Sequence, residues 1–96
     1  YGTNWDGAIF TNCEFSSSIF NKAKFNNTEW LGEKNVLESN NMNNTKFNDT
    51  QFLSKQTIFI KNNLSKIKFN NTTLPSNKIN FTNNKKCPKT LGKKCK

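Results

Sequence analysis

Arginine and histidine are absent from the 96 residues, and acidic side chains number only six: Asp6, Glu14, Glu29, Glu33, Glu38 and Asp49. Without histidine, the chain has no side chain whose ordinary pKa lies near neutrality and no imidazole for a metal. Three cysteines fall short of a four-ligand zinc site, and no glycine-rich phosphate loop is present. The six acids are not paired in the way that glycoside hydrolysis requires. These gaps argue against an enzyme and against any cofactor or metal. The lack of arginine also removes the bidentate reader of guanine, so sequence-specific nucleic-acid recognition is not expected. No apolar run approaches the roughly 18 residues of a membrane span, and no signal peptide is recognisable. Tyr1 in place of an initiator methionine predicts a processed chain or a fragment.

What is present is basic and only modestly apolar: a net charge of +9 carried entirely by lysine, nineteen asparagines, and 32% apolar residues. Composition alone points towards disorder. The placement of the apolar residues points the other way. Aromatic residues recur every five positions at Trp5, Phe10, Phe15, Phe20, Phe25 and Trp30. The same register continues through Leu37, Met42, Phe47, Phe52, Phe59, Leu64, Phe69, Leu74 and Phe81, and it takes in all nine Phe and both Trp. A period of five is neither helical nor that of a simple strand. Two residues before each centre stands a mostly small or polar side chain: Thr3, Ala8, Cys13, Ser18, Ala23, Thr28, Asn35, Asn40, Thr45, Thr50, Thr57, Asn62, Ile67, Thr72 and Ile79. One large and one small inward residue in every five describe a narrow packed tube.

Units such as AIFTN, CEFSS, AKFNN, TKFND and TQFLS resemble the pentapeptide-repeat family, whose repeats place a small residue first and Leu or Phe third. The resemblance spans residues 3 to about 83. It implies an all-β fold, a right-handed four-sided β-helix of about four coils with four repeat units to a coil. The expected organisation is a solenoid over 1–83 and a short irregular C-terminal cap over 84–96. Three steps of the register are seven residues long, from 30 to 37, 52 to 59 and 74 to 81, so a two-residue insertion is expected at one fixed corner. Some members of the family are DNA mimics that bind type II topoisomerases through an acidic surface. This chain has the opposite sign, and that role does not carry over.

Outward positions offer two candidate surfaces. Lys24, Lys46 and Lys68 recur at 22-residue spacing beside Asn26, Asn48 and Asn70. The lysines either keep a β surface soluble and unpaired or hold an acidic polymer. The asparagines suit a structural ladder along the axis. Leu31, Val36, Leu53, Ile58 and Ile60 gather about the inserted corner, where they either fold back to close it or form a patch for a partner.

The ends differ. The tail holds Cys87 and Cys95, suited to a short disulfide loop, whereas Cys13 takes an inner small position and is expected to be a buried thiol. The first coil has no comparable cap, which favours pairing with another chain. The expected function is therefore a non-catalytic structural protein that self-associates through its solenoid ends or binds another protein, in an extracellular assembly or filament. The alternatives are a binding module whose lysine face holds an anionic polymer or surface, and an intracellular scaffold subunit of a larger complex.

Overall fold

A short backbone device repeats through the chain. Among the described residues, eleven of the twelve non-glycine residues with positive φ stand two places after an inner centre, from Asn12 to Asn83. A single left-handed residue turns the chain through a corner, and Asn or Asp tolerates that conformation best. Five of the nineteen asparagines, Asn12, Asn27, Asn44, Asn71 and Asn83, are thereby accounted for. Four of the corners are closed by a backbone bond across the turn: Ala8 N to Trp5 O, Ala23 N to Phe20 O, Thr45 N to Met42 O and Ile67 N to Leu64 O, at 3.0–3.2 Å.

The structure is a computed structural model that describes residues 2–95, with only the backbone of Lys94. Its strands are β1 (Ile9–Thr11), β2 (Glu14–Ser16), β3 (Glu29–Leu31), β4 (Lys34–Glu38), β5 (Gln51–Phe52), β6 (Gln56–Ile60) and β7 (Ile79–Thr82). They form two parallel sheets, β1-β3-β5 and β2-β4-β6-β7. The other two sides are ladders of single parallel bridges, Asn4–Lys24–Lys46–Lys68 and Ile19–Asn41–Asn63–Lys85. The result is a four-sided β-solenoid.

Large side chains stack inside in register. Trp5, Phe25, Phe47 and Phe69 lie nearly parallel, with centroids 6.1, 4.8 and 5.2 Å apart, and Phe10 stacks on Trp30 at 4.3 Å. Phe25, Trp30, Leu37, Met42, Phe47, Phe59 and Leu64 are fully enclosed, and Phe10, Phe20, Phe52, Leu74 and Phe81 are buried. Trp5, Phe15 and Phe69, near the two ends, are half-buried. The same is true of Cys13, expected to be enclosed: it belongs to the first coil, which is covered from one side only.

The inner polar positions tie coil to coil. Asn40 and Asn62 are almost wholly buried. Asn62 Oδ1 accepts the Asn40 N–H at 2.9 Å, and its Nδ2 donates to Leu37 O at 2.8 Å. Asn40 does the same for Ser18 and Phe15, and Asn84 for Asn62 and Phe59. Thr45, Thr50 and Thr72 donate to the carbonyls of Phe20, Phe25 and Phe47 at 2.7–2.8 Å. Buried polar groups persist only when paired in this way.

Two details differ from the sequence expectation. The solenoid completes about three turns, because the fourth coil lacks one side: nothing pairs with β5 beyond Phe52 among the described strands. Pro75 has no N–H to give the ladder, and the Lys78 and Ile79 amides turn back to its carbonyl, both at 3.0 Å. Leu74 still points inward. At the inserted corner the leucines do not fold back; Ser54 fills the interior instead, bonded to Thr57 Oγ1 at 2.7 Å. Gly32 is required there, since a Cβ would lie 2.5 Å from Asn12 Oδ1. That oxygen accepts the Glu33 amide at 2.7 Å and the Lys34 amide at 3.2 Å, so Asn12 supports the first insertion from the coil below.

Candidate functional site

The side carrying Asn4, Lys24, Lys46 and Lys68 is bounded by the corner whose left-handed residues are Lys22, Asn44 and Lys66. Between the two columns Ala23, Thr45 and Ile67 point inward and are buried, which gives the surface a rigid floor. Lys22, Lys24, Asn44, Lys46, Lys66 and Lys68 together line a cavity of about 420 Å³. Five of the six lining residues are lysines and the sixth is an amide. Sequence reading had found the Lys24, Lys46 and Lys68 column but not Lys22 and Lys66, because these are the corner residues themselves and flank that column only through the left-handed turn they make. The positive-φ pattern, had it been traced, would have joined them.

Asn26, Asn48 and Asn70 form the adjacent column. Asn26 Oδ1 accepts the Asn48 N–H at 3.0 Å, and Asn48 Oδ1 accepts the Asn70 N–H at 3.1 Å. Asp6 Oδ1 begins the series by accepting the Asn26 N–H at 2.9 Å. These side chains continue the backbone ladder round the corner.

The apolar corner is less coherent than the groove. Leu31, Val36, Ile58 and Ile60 are half-buried, and only Leu53, at 52%, is well exposed. Glu33 and Lys55 pair across the stacked insertions at 3.3 Å on the open surface, an arrangement worth little in water. Where the fourth coil leaves β5, a second cavity of about 420 Å³ lies among Gln51, Phe52, Leu53, Thr73, Pro75 and Lys78. Ile9 and Ile19, exposed at 62% and 65%, were missed in the sequence. Both stand immediately before an inner centre of the first coil, at an outward place.

The far end is partly covered by the tail. Cys87 and Cys95 are joined, with Cα atoms 5.8 Å apart, around the 3₁₀ segment Lys89–Lys94. Leu91 is buried, and with Ile67, Phe69 and Leu74 of the last coil it lines a cavity of about 410 Å³. Closing this short loop restricts the unfolded chain by about 2.5 kcal/mol. Alkylation without reductant should therefore label Cys13 alone, and reduction should lower the denaturation midpoint. Labelling of all three thiols in unreduced protein would contradict the pairing.

Among the described residues, no helix is long and apolar enough to cross a membrane, and no group of three His, Cys, Asp or Glu side chains is placed to hold a metal.

The family model for pentapeptide repeats (8 copies) matches residues 1–28. No curated protein and no solved structure matches the chain. Beyond the matched segment, the same inward register, left-handed corners and parallel ladders continue to Lys85. The chain is a β-solenoid whose residues 1–28 match the pentapeptide-repeat family model and whose later coils repeat the same unit, a fold consistent with a non-enzymatic structural or protein-interaction module.

Proposed function

We propose that the protein is a structural module that associates with a second copy of itself through the outer edge of its first coil. One observation carries this reading. In the second coil the amides of Glu29, Val36 and Asn41 donate to Ala8, Cys13 and Ser18 at 2.9–3.1 Å. The equivalent amides of the first coil, those of Ile9, Glu14 and Ile19, have no coil beneath them among the described residues. An unpaired strand edge is a template for another chain. Exposed Ile9 and Ile19 flank it, and half-buried Trp5 and Phe15 lie within the end face.

Charge supports the same end. Residues 1–21 hold no lysine, so the first-coil side chains bring no ammonium groups into such a contact. The described residues extend 28 × 27 × 25 Å, and an end face of that width is close to the roughly 800 Å² per partner of a standard interface. Because Leu91 and the disulfide loop stand over the other end, the association is a two-fold dimer rather than a filament. The disulfide supports an oxidising, extracellular setting.

Sedimentation velocity at micromolar concentration is the test. The expected species has twice the 11.1 kDa chain mass, and the double substitution Ile9→Lys, Ile19→Lys should return it to monomer with an unchanged circular dichroism spectrum. A monomeric parent protein at about 100 μM, a concentration well above that needed for a micromolar Kd, would overturn the proposal.

A further inference from the structure

We infer that the groove formed by Lys22, Lys24, Asn44, Lys46, Lys66 and Lys68 is a binding site for a linear anionic polysaccharide lying along the solenoid axis. The site is independent of the dimer edge.

The bridges pair Lys24 with Lys46 and Lys46 with Lys68 directly. Like charges directly opposite on neighbouring strands are unfavourable. The other bridged side avoids this arrangement by using Ile19, Asn41 and Asn63 before Lys85. Coils about 4.8 Å apart set the axial step between successive ammonium groups. The two columns are separated by two residues, about 6.6 Å of extended chain. An anionic chain laid between them meets cations from both sides at the Lys22/Lys24 and Lys66/Lys68 levels, and Lys46 opposite the Asn44 amide at the level between, which relieves the repulsion the ladder builds in. No Asp or Glu lines the groove to compete.

The choice of polymer follows from what the walls present. Every Phe and Trp belongs to the inward register, so the groove has no ring on which a nucleobase can stack. No arginine fork is available for guanine or for planar phosphate recognition. The well-exposed large apolar side chains, Ile9, Ile19 and Leu53, lie outside the groove, so it lacks the apolar flank that membrane-surface binding uses. Lys24 and Lys46 are bridged on both sides within the ladder, so the groove floor offers no strand edge there to an acidic peptide. Ammonium groups and the Asn44 amide suit a chain of anionic sugars, whose charges pair with lysine and whose hydroxyls pair with the amide.

The test measures binding of the intact chain to fluorescent dextran sulfate and to polygalacturonate by anisotropy over a salt series. The triple substitution Lys24→Gln, Lys46→Gln, Lys68→Gln should weaken binding by roughly 10- to 100-fold. It should melt no lower than the parent when no polymer is present, since it removes repulsion. A control with the same charge change elsewhere, Lys34→Gln, Lys89→Gln, Lys93→Gln, should lose less than about threefold if the contacts are localised. The pair Lys22→Gln, Lys66→Gln repeats the test from the second column. Whichever polymer binds more tightly identifies the anion as sulfate or carboxylate, and either supports the site. Equal losses in the two triple variants would reduce the effect to diffuse net charge and overturn it. So would a lack of binding to both polymers, or tighter binding to DNA at the same salt.

Discussion

Phe47→Asp should give a chain that fails to fold, while the adjacent Lys46→Asp should melt close to the parent. Phe47 is fully enclosed, stacked between Phe25 at 4.8 Å and Phe69 at 5.2 Å, with Phe59 edge-on at 5.8 Å. Truncating a buried Phe to Ala costs about 3–5 kcal/mol through lost transfer energy and the cavity left behind. Aspartate adds an unpaired charge in that cavity, with several kcal/mol more of desolvation or forced protonation. Together these approach or exceed the roughly 5–15 kcal/mol that holds a domain of ordinary stability together. Lys46 points outward one residue away, and replacing it separates a like-charged pair. Circular dichroism and urea titration of the two variants distinguish the faces. Equal tolerance would mean that the inward register is wrong. Phe47→Leu, which keeps much of the volume, should fold with a modest loss and provides a measurable midpoint.

The second large effect is expected at a polar residue. Asn62→Ala should destabilise the solenoid by about 2–5 kcal/mol, because it strands two buried backbone groups at once, the Asn40 N–H and the Leu37 carbonyl. Asn62→Leu is expected to be no better, since filling the volume leaves both groups unpaired. Asn70→Ala is the comparison: its side chain is exposed in the last described coil of the outer asparagine column, and its removal should change stability by less than about 0.5 kcal/mol. Urea midpoints for Asn62→Ala and Asn70→Ala that agree within error would show that the inner asparagines do not tie the coils together.

The inward register was legible because Phe and Trp cannot be exposed eleven times over without a partner, and because the five-residue spacing is imposed by a turn at every corner. The two-residue insertion could likewise be placed, since Leu37, Phe59 and Phe81 pair one above another only if it stacks. Other features depend on distances that a single sequence does not carry. Asn40 and Asn62 fell at inward positions, but the reach from one coil's side chain to the next coil's amide is visible only in three dimensions. Thr73–Lys78 continued the numerical pattern while its backbone left the ladder, because Pro75 changes hydrogen bonding without disturbing the spacing of Leu74 and Phe81. At the groove, the sequence supplied one column of lysines, and the left-handed corner at Lys22 and Lys66 supplied the other.

The uniform 20- and 22-residue offsets between paired strands also constrain how this molecule can form. Closing the first coil onto the second must overcome the entropy of a loop of that length with only one layer of contacts in return. Each later coil closes a loop of nearly the same length, but onto a finished surface already carrying ordered amides and stacked rings. The slow event is therefore making the first pair of coils, after which growth proceeds as a zipper along the axis. A fold without long-range closure between its two ends has no need of simultaneous assembly.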